Sequence, residues 1–192
     1  MSKLKEEDRK YLLKMARSVI ASKLMPGTHA EDSPALSAAI REKQGCFVTL
    51  HKKGMLRGCI GTLEPVQPLA DAVRENALHS AFHDSRFPPV TAEELPDIDI
   101  EISVLTVPEP LPYTDGDDLK AKLKPGVHGV ILSKGAQRST FLPQVWEQLP
   151  DPEIFLSHLC QKGGMRKDCW KKGDADVKIY EVFHFSEQRN SE

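Results

Sequence analysis

The sequence predicts an α+β fold, with mainly antiparallel sheets packed against helices. Residues 98–105 read IDIEISVL, and the alternation of apolar and polar residues is that of a half-buried antiparallel strand. Residues 4–24 repeat apolar residues near the 3.6-residue period of an amphipathic helix. Helix–strand–strand order also recurs along the chain, which favours the α+β class over alternating parallel units.

The first half of the chain predicts three helices and three strands. The helix over 4–24 ends at Pro26 and Gly27, and Ser33 and Pro34 suit the N-cap and first position of a short helix that ends near residue 43. Gly54 suits the left-handed position of a hairpin turn between two strands. The remaining predicted elements are strands at 46–50, 56–63 and 98–105 and a helix at 69–83.

The second half predicts shorter elements after a loop rich in Pro, Gly and Asp at residues 108–118. The alternation at residues 177–185 predicts one last strand. The other predicted elements are strands at 127–132 and 138–141, and helices that end near 123, begin at 143 and cover 151–161.

The composition bounds the class of protein. A chain of 192 residues suits one domain or two small interleaved ones. Its formal net charge is −2, so the whole molecule has no electrostatic preference for nucleic acid or anionic membranes. No apolar run approaches the ~20 residues of a membrane span, and the charged beginning of the sequence does not resemble a signal peptide. We expect a cytoplasmic protein that does not engage membranes.

The four cysteines, Cys46, Cys59, Cys160 and Cys169, are expected to be free thiols, because a chain of this length without an export signal seldom depends on disulfides. Their spacing, also in combination with His158, does not match a zinc site. The three-cysteine motif of a radical S-adenosylmethionine enzyme and the glycine-rich phosphate loops are absent from the sequence. We therefore expect neither a metal nor a cofactor.

The run LRGCIG at residues 56–61 is the first candidate site. On a regular strand Arg57 and Cys59 would lie side by side, and a guanidinium next to a thiol favours the thiolate. Cys59 is therefore a candidate catalytic residue, and Arg57, Gly58 and Gly61 are candidate ligand-binding residues. In the alternative, Cys59 is buried as a small apolar residue and the glycines permit close contact between a helix and the sheet.

Three further polar residues complete the candidate site. Asp84 and Arg86 are predicted to bind ligand, because a guanidinium can form two parallel hydrogen bonds with a carboxylate or phosphate. An internal ion pair of Arg86 with Asp84, or one with Glu101, is the alternative. Glu101 is a candidate general base if its strand face lines a cleft, and a solvated surface residue if it does not.

Several separated stretches together resemble one family, the AMMECR domain, called AmmeMemoRadiSam system protein A in bacteria. The resemblance covers residues 8–186. The stretches that carry it are GCFVTL at 45–50, LRGCIG at 56–61, DSRFPP at 84–89, ISVL at 102–105, HGV at 128–130, FLPQV at 141–145 and LCQKGG at 159–164.

The resemblance implies an α+β fold of two intertwined subdomains with a cleft between them. It also implies two partners, a Memo-type protein and a radical S-adenosylmethionine enzyme, but no particular reaction. The leading hypothesis is a small-ligand or substrate-binding component of a shared pathway, with catalysis left open. The alternative is a non-catalytic module that binds protein or nucleic acid, for which the basic residues around Trp170 are the candidate surface.

Overall fold

The computed structural model describes residues 4–25 and 37–187. The chain divides into two compact units, of which the first comprises Met1–Leu105 and Phe183–Glu192 and the second Thr106–Val182. Antiparallel sheets packed with helices confirm the predicted α+β class. The cleft implied by the family resemblance remains a prediction. Within the described ranges, no helix combines the length and apolar character that crossing a membrane requires.

In its described residues the first unit has three α-helices, a 3-10 helix at Leu95–Asp97 and a four-stranded sheet with the order β2-β1-β3-β8. Strand β1 is antiparallel to both β2 and β3. The elements are α1 (Glu6–Leu24), α2 (Ala38–Arg41), β1 (Cys46–Lys52), β2 (Met55–Thr62), α3 (Leu69–Phe82), β3 (Ile98–Leu105) and β8 (Val182–Ser186).

The second unit has a four-stranded sheet with the order β4-β7-β5-β6, in which every neighbouring pair is antiparallel. Its elements are β4 (Glu109–Pro110), α4 (Gly116–Lys122), β5 (Gly129–Lys134), β6 (Gln137–Phe141), α5 (Val145–Gln148), α6 (Pro152–Lys162) and β7 (Asp176–Tyr180). Helix α6 begins where the sequence predicts, because the side chain of Asp151 accepts hydrogen bonds from the first-turn amides and Pro152 takes the first helical position.

Strand β3 follows the predicted alternation as far as Ile102, whereas Ser103, which continues the polar side of the pattern, is buried. Ile98, Ile100 and Ile102 are completely buried in the core of the first unit, which is built mainly by α1, α3 and the sheet. Asp99 and Glu101 alternate with them and are partly exposed. The turn between β1 and β2 is also as predicted, since Gly54 has a φ of 76°.

The second unit contradicts the expectation that all four cysteines are free. Cys160 and Cys169 form a disulfide, with Cα atoms 6.5 Å apart. Cys160 lies in α6, and the chain reverses directly after the helix, where Gly164 takes a φ of 71° and returns the backbone to Cys169. Sequence spacing alone did not show this reversal. Cys46 and Cys59 are the free cysteines.

The predicted strand at residues 177–185 is two strands in different sheets. β7 belongs to the sheet of the second unit and β8 to that of the first. The chain changes sheets at Glu181, whose backbone is held by Thr106: the Glu181 N–H donates to Thr106 Oγ1 at 2.9 Å, and the Glu181 carbonyl accepts from the Thr106 N–H at 3.0 Å. Alternation continues through the switch, so the sequence pattern does not reveal it. The proposed cap at Ser33 and Pro34 lies outside the described residues.

Candidate functional site

The register of the first sheet brings Cys59 and Glu101 onto one face. Thr49 in β1 lies opposite Cys59 in β2 and opposite Glu101 in β3. Directly paired residues project to the same side of a sheet, so the three side chains form a row across three strands. This face is opposite to the one on which Ile100 and Ile102 are buried. All three residues of the row are partly exposed.

Thr49 is a site residue that the sequence prediction missed. Its hydroxyl donates to the Cys59 sulfur, with Oγ1 and Sγ 3.3 Å apart. The two-residue turn at Lys53 and Gly54 gave a signal for the register, but counting from that turn would place Thr49 opposite Gly58. A bulge between Leu50 and His51 shifts the pairing by one residue and sets Cys59 opposite Thr49.

Asp84 and Arg86 hold the outer edge of β2 at Cys59. The Cys59 N–H donates to Asp84 Oδ2 at 2.9 Å, and Arg86 Nη2 donates to the Cys59 carbonyl oxygen at 3.1 Å. Arg86 also pairs with the Asp84 carboxylate through Nε and Nη2, at 2.9 and 2.7 Å. Because β2 ends the sheet, these two side chains occupy the place of a neighbouring strand.

This arrangement fixes the charge of Asp84. The Arg86 guanidinium, with the N–H groups of Cys59 and Arg86, holds the pKa of the Asp84 carboxyl far below its usual range, although burial opposes the shift. The internal ion pair that the sequence left as an alternative is therefore present. Arg86 is nevertheless 53% exposed, and its Nη1 has no hydrogen-bond partner among the described residues.

The structure corrects the predicted position of Arg57. As the extra residue of the bulge, Arg57 leaves the regular alternation of β2. Its Nη2 bonds to Glu94 Oε2 at 2.9 Å and to the Pro89 carbonyl at 3.4 Å. The guanidinium that contacts residue 59 is that of Arg86.

Glu94 joins Arg57 to β1, because Lys52 Nζ lies 2.7 Å from the Glu94 carboxylate. The hydrogen bonds from Arg57 and Lys52 lower the pKa of Glu94 to about 2. Phe87 lies near both guanidinium groups, with its ring centroid 6.0 Å from Arg57 Cζ and 5.4 Å from Arg86 Cζ, distances that suit cation–π contact. Arg57 is thus buried among internal contacts, with only its Nη1 left without a hydrogen-bond partner.

The glycines of LRGCIG are explained by packing. A Cβ at Gly58 would lie 2.2 Å from the Ser80 carbonyl oxygen in α3, so the helix needs glycine to approach the strand. A Cβ at Gly61 would lie 2.4 Å from the ring of Phe47, the residue opposite in β1. Both contacts favour the alternative in which Gly58 and Gly61 permit close packing, over the prediction that they bind a ligand.

The two free thiols have different environments. Cys46 is completely buried, and burial raises the pKa of its thiol to about 11 although the Asn76 amide contact opposes the shift. Cys59 is partly exposed and is surrounded by a hydroxyl, an exposed guanidinium and, farther along the row, a carboxylate. No group of three or more His, Cys, Asp or Glu side chains in the described parts of the chain could hold a metal ion. The arrangement places an exposed guanidinium, which can bind an anion, at the same strand position as a partly exposed thiol.

The fold and this site define an α+β protein with a cysteine-centred site on a sheet edge. A family model, AMMECR1, matches residues 13–185, and the chain belongs to this family. A protein of Methanothermobacter thermautotrophicus is 42% identical over 94% of this chain and 96% of its own length. One of Thermofilum pendens is 39% identical, over 97% of this chain and 93% of its own.

A solved structure agrees with this family assignment. The crystal structure of the uncharacterized protein PH0010 from Pyrococcus horikoshii superposes with a TM-score of 0.82, at 36% sequence identity. The superposition covers 96% of this chain and 94% of that one. The similarity therefore extends through both units and supports the predicted fold class.

Proposed function

We propose that this protein is a substrate-binding component whose small ligand binds on the exposed face of the first sheet, around Cys59. The observation that supports it is the partly exposed free thiol of Cys59, which the Thr49 hydroxyl contacts, at a position where Asp84 and Arg86 bind the backbone of the strand edge. The partners implied by family resemblance, a Memo-type protein and a radical S-adenosylmethionine enzyme, would act on the presented substrate.

The proposed ligand carries a carboxylate or phosphate group. Arg86 offers its exposed edge and the free Nη1 for this group, while Asp84 fixes the orientation of the guanidinium. The Cys59 thiol lies next to the bound anion, and Glu101 is available to accept a proton from the ligand. Arg57 takes no part, since its guanidinium is buried and its Nη2 is bound by Glu94 and Pro89.

Alkylation by a neutral and an anionic reagent tests this proposal. We expect the ratio of the iodoacetate rate to the iodoacetamide rate to be higher for Cys59 than for the uncharged thiol N-acetylcysteine amide, because Arg86 attracts the carboxylate. Arg86→Gln should reduce this ratio to that of N-acetylcysteine amide or below. Peptide mass spectrometry identifies the modified cysteine, and the buried Cys46 serves as the internal control for unfolding.

Arg166→Gln is the matched control variant. Arg166 pairs with Asp168, two residues away, as Arg86 pairs with Asp84, but it does not contact Cys59. In the Arg166→Gln variant, the ratio of iodoacetate to iodoacetamide reactivity at Cys59 should equal that of the wild type. A wild-type ratio equal to that of N-acetylcysteine amide would contradict an anion site at Cys59. An unchanged ratio in a folded Arg86→Gln variant would contradict it as well.

A further inference from the structure

Helix α1 and strand β8 border a surface groove of about 840 Å³ in the first unit. The helix residues that line it recur at intervals of three and four, which places them on one stripe of α1. From the helix these are Glu6, Arg9, Lys10, Leu13, Lys14 and Arg17. The strand side of the groove is formed by Phe185, Ser186 and Glu187. None of these residues belongs to the Cys59 site.

Strand β8 presents an open edge beside this groove. It ends the sheet order β2-β1-β3-β8, and no other strand of the described chain pairs with its outer side. The Glu187 N–H donates to the Ile100 carbonyl in β3 at 3.0 Å. Since backbone groups alternate in direction along a strand, those of His184 and Ser186 point to the outer edge. The opposite edge of the sheet, β2, is covered at Cys59 by Asp84 and Arg86.

The groove is positively charged. Four cations line it against two carboxylates. Arg17 is bound by Glu187, and Lys14 also has an interaction partner. The pair of Lys10 with Glu6 is 74% and 69% exposed and contributes little. The Arg9 Nε is buried without a hydrogen-bond partner. Leu13 and Phe185 add an apolar surface between the charges.

We propose that this groove binds an extended acidic peptide segment of a partner protein, which adds to β8 as a further strand. The peptide backbone pairs with the outward groups of His184 and Ser186, as in recognition by β-strand addition. Every second side chain of the peptide faces α1, and carboxylates at these positions meet the basic stripe. A second copy of this chain would place its own positive stripe against this one, and the two would repel. A nucleic acid would not pair with the backbone of the open strand edge. The charge of the groove and the open edge together therefore favour an acidic peptide.

Selection from a displayed peptide library tests this interaction. The full chain is the target, and the probes are random peptides of about ten residues, enough for one strand with its flanks. We expect enriched sequences to carry Asp or Glu at alternate positions. The Lys10→Glu and Lys14→Glu double variant should bind a selected peptide at least about tenfold more weakly, because charge reversal opposes the acidic side chains. The control double variant Lys124→Glu and Lys167→Glu, which changes exposed lysines outside the groove, should bind as the wild type does.

N-methylation of the selected peptide distinguishes strand addition from other modes of binding. Methylation of alternate amides that face β8 should abolish binding, and methylation of the amides between them should leave it unchanged. Failure to enrich any peptide would overturn the proposal. So would enriched peptides whose acidic residues recur every three or four positions, as on a helix, and so would an equal loss of binding for the two sets of methylated peptides. The proposal would also be overturned if a uridine oligonucleotide, and no peptide, bound with the same dependence on Lys10 and Lys14. A dimer whose contact buries β8 would overturn it too.

Discussion

A methyl group at Gly58 would lie 2.2 Å from a backbone oxygen of Ser80, and this contact shows what single residues of LRGCIG contribute. The sequence predicted Cys59, Asp84 and Arg86 as candidate site residues, and the structure brings these three together. The sequence did not identify the residues that each of these side chains contacts. Thr49 and Glu94 were missed because their roles depend on the register of β1 and on the loop before β3, which residue types alone do not specify.

Gly58→Ala should lower the free energy of unfolding by about 1–3 kcal/mol, as overpacking in a well-packed core does. The atom that the new methyl group meets is backbone, so no side-chain rotation relieves the contact. Urea denaturation measures the change. Gly126→Asn is the control, since Gly126 has a φ of 77° with open space around it and asparagine tolerates this conformation. Equal midpoints for wild type and Gly58→Ala would contradict the close packing of α3 on β2.

Glu94→Gln should destabilise the protein in a manner that depends on pH. The pKa of Glu94 is lowered from 4.5 to about 2 by Arg57 and Lys52, so the ionised group stabilises the folded state fully above pH 4.5. This contribution is lost as the pH falls from 4.5 towards 2. We expect a difference from wild type of about 1–3 kcal/mol at pH 7 that shrinks below pH 4.5. Denaturant midpoints across this range measure it, and a difference that grows towards acid would contradict the ion pair.

At the scale of secondary-structure elements, the bulge at Arg57 determines which side of the sheet carries the thiol. Counted from the hairpin turn without a bulge, Cys59 would lie opposite Val48, which is completely buried. The extra residue reverses the facing of the strand beyond it and sets Cys59 on the face of Thr49. The alternation of residue types predicted that these segments are strands and gave their approximate bounds. A one-residue shift of register does not change the hydrophobic pattern of the sequence, so it could not be predicted.

Two substitutions on β3 test the facing of this strand. Ile102→Ala should cost about 2–5 kcal/mol of stability, because the side chain is completely buried. Glu101→Ala should cost well under ~1 kcal/mol, because its side chain is partly exposed in the row with Thr49. Denaturant midpoints of both variants measure the costs. If Glu101→Ala were the more destabilising variant, the facing of β3 or the solvation of Glu101 would have to be revised.

At the scale of the whole molecule, the chain leaves the first unit after Leu105 and returns to it at Phe183. The sequence predicted the fold class and most elements, yet it joined β7 and β8 into one strand. The alternation of apolar and polar residues shows only that one face of a strand is buried. The pattern is the same whichever of the two sheets contains the strand. The disulfide was missed for a related reason, since the pairing of Cys160 with Cys169 depends on the reversal after α6.

Removal of the disulfide should destabilise the second unit. For a closed loop between residues 160 and 169, the entropy of the unfolded chain predicts a loss of about 2–3 kcal/mol. We expect the Cys160→Ala and Cys169→Ala double variant to show this loss in denaturant titrations. Dithiothreitol should produce a similar loss in the wild type and none in the double variant. Insensitivity of the wild type to the reductant, with Cys160 and Cys169 titrating as free thiols, would contradict the disulfide.

The placement of the two tryptophans has a spectroscopic consequence. Trp146, stacked on Phe155 with ring centroids 3.6 Å apart, and the buried Trp170 both lie in the core of the second unit, and the sequence contains no other tryptophan. Intrinsic fluorescence excited at the indole band therefore reports the unfolding of the second unit alone. The buried thiol of Cys46 reports opening of the first unit through its rate of reaction with a chromogenic disulfide reagent. The two signals together reveal whether the two units melt in one transition or in sequence, and neither requires an engineered residue.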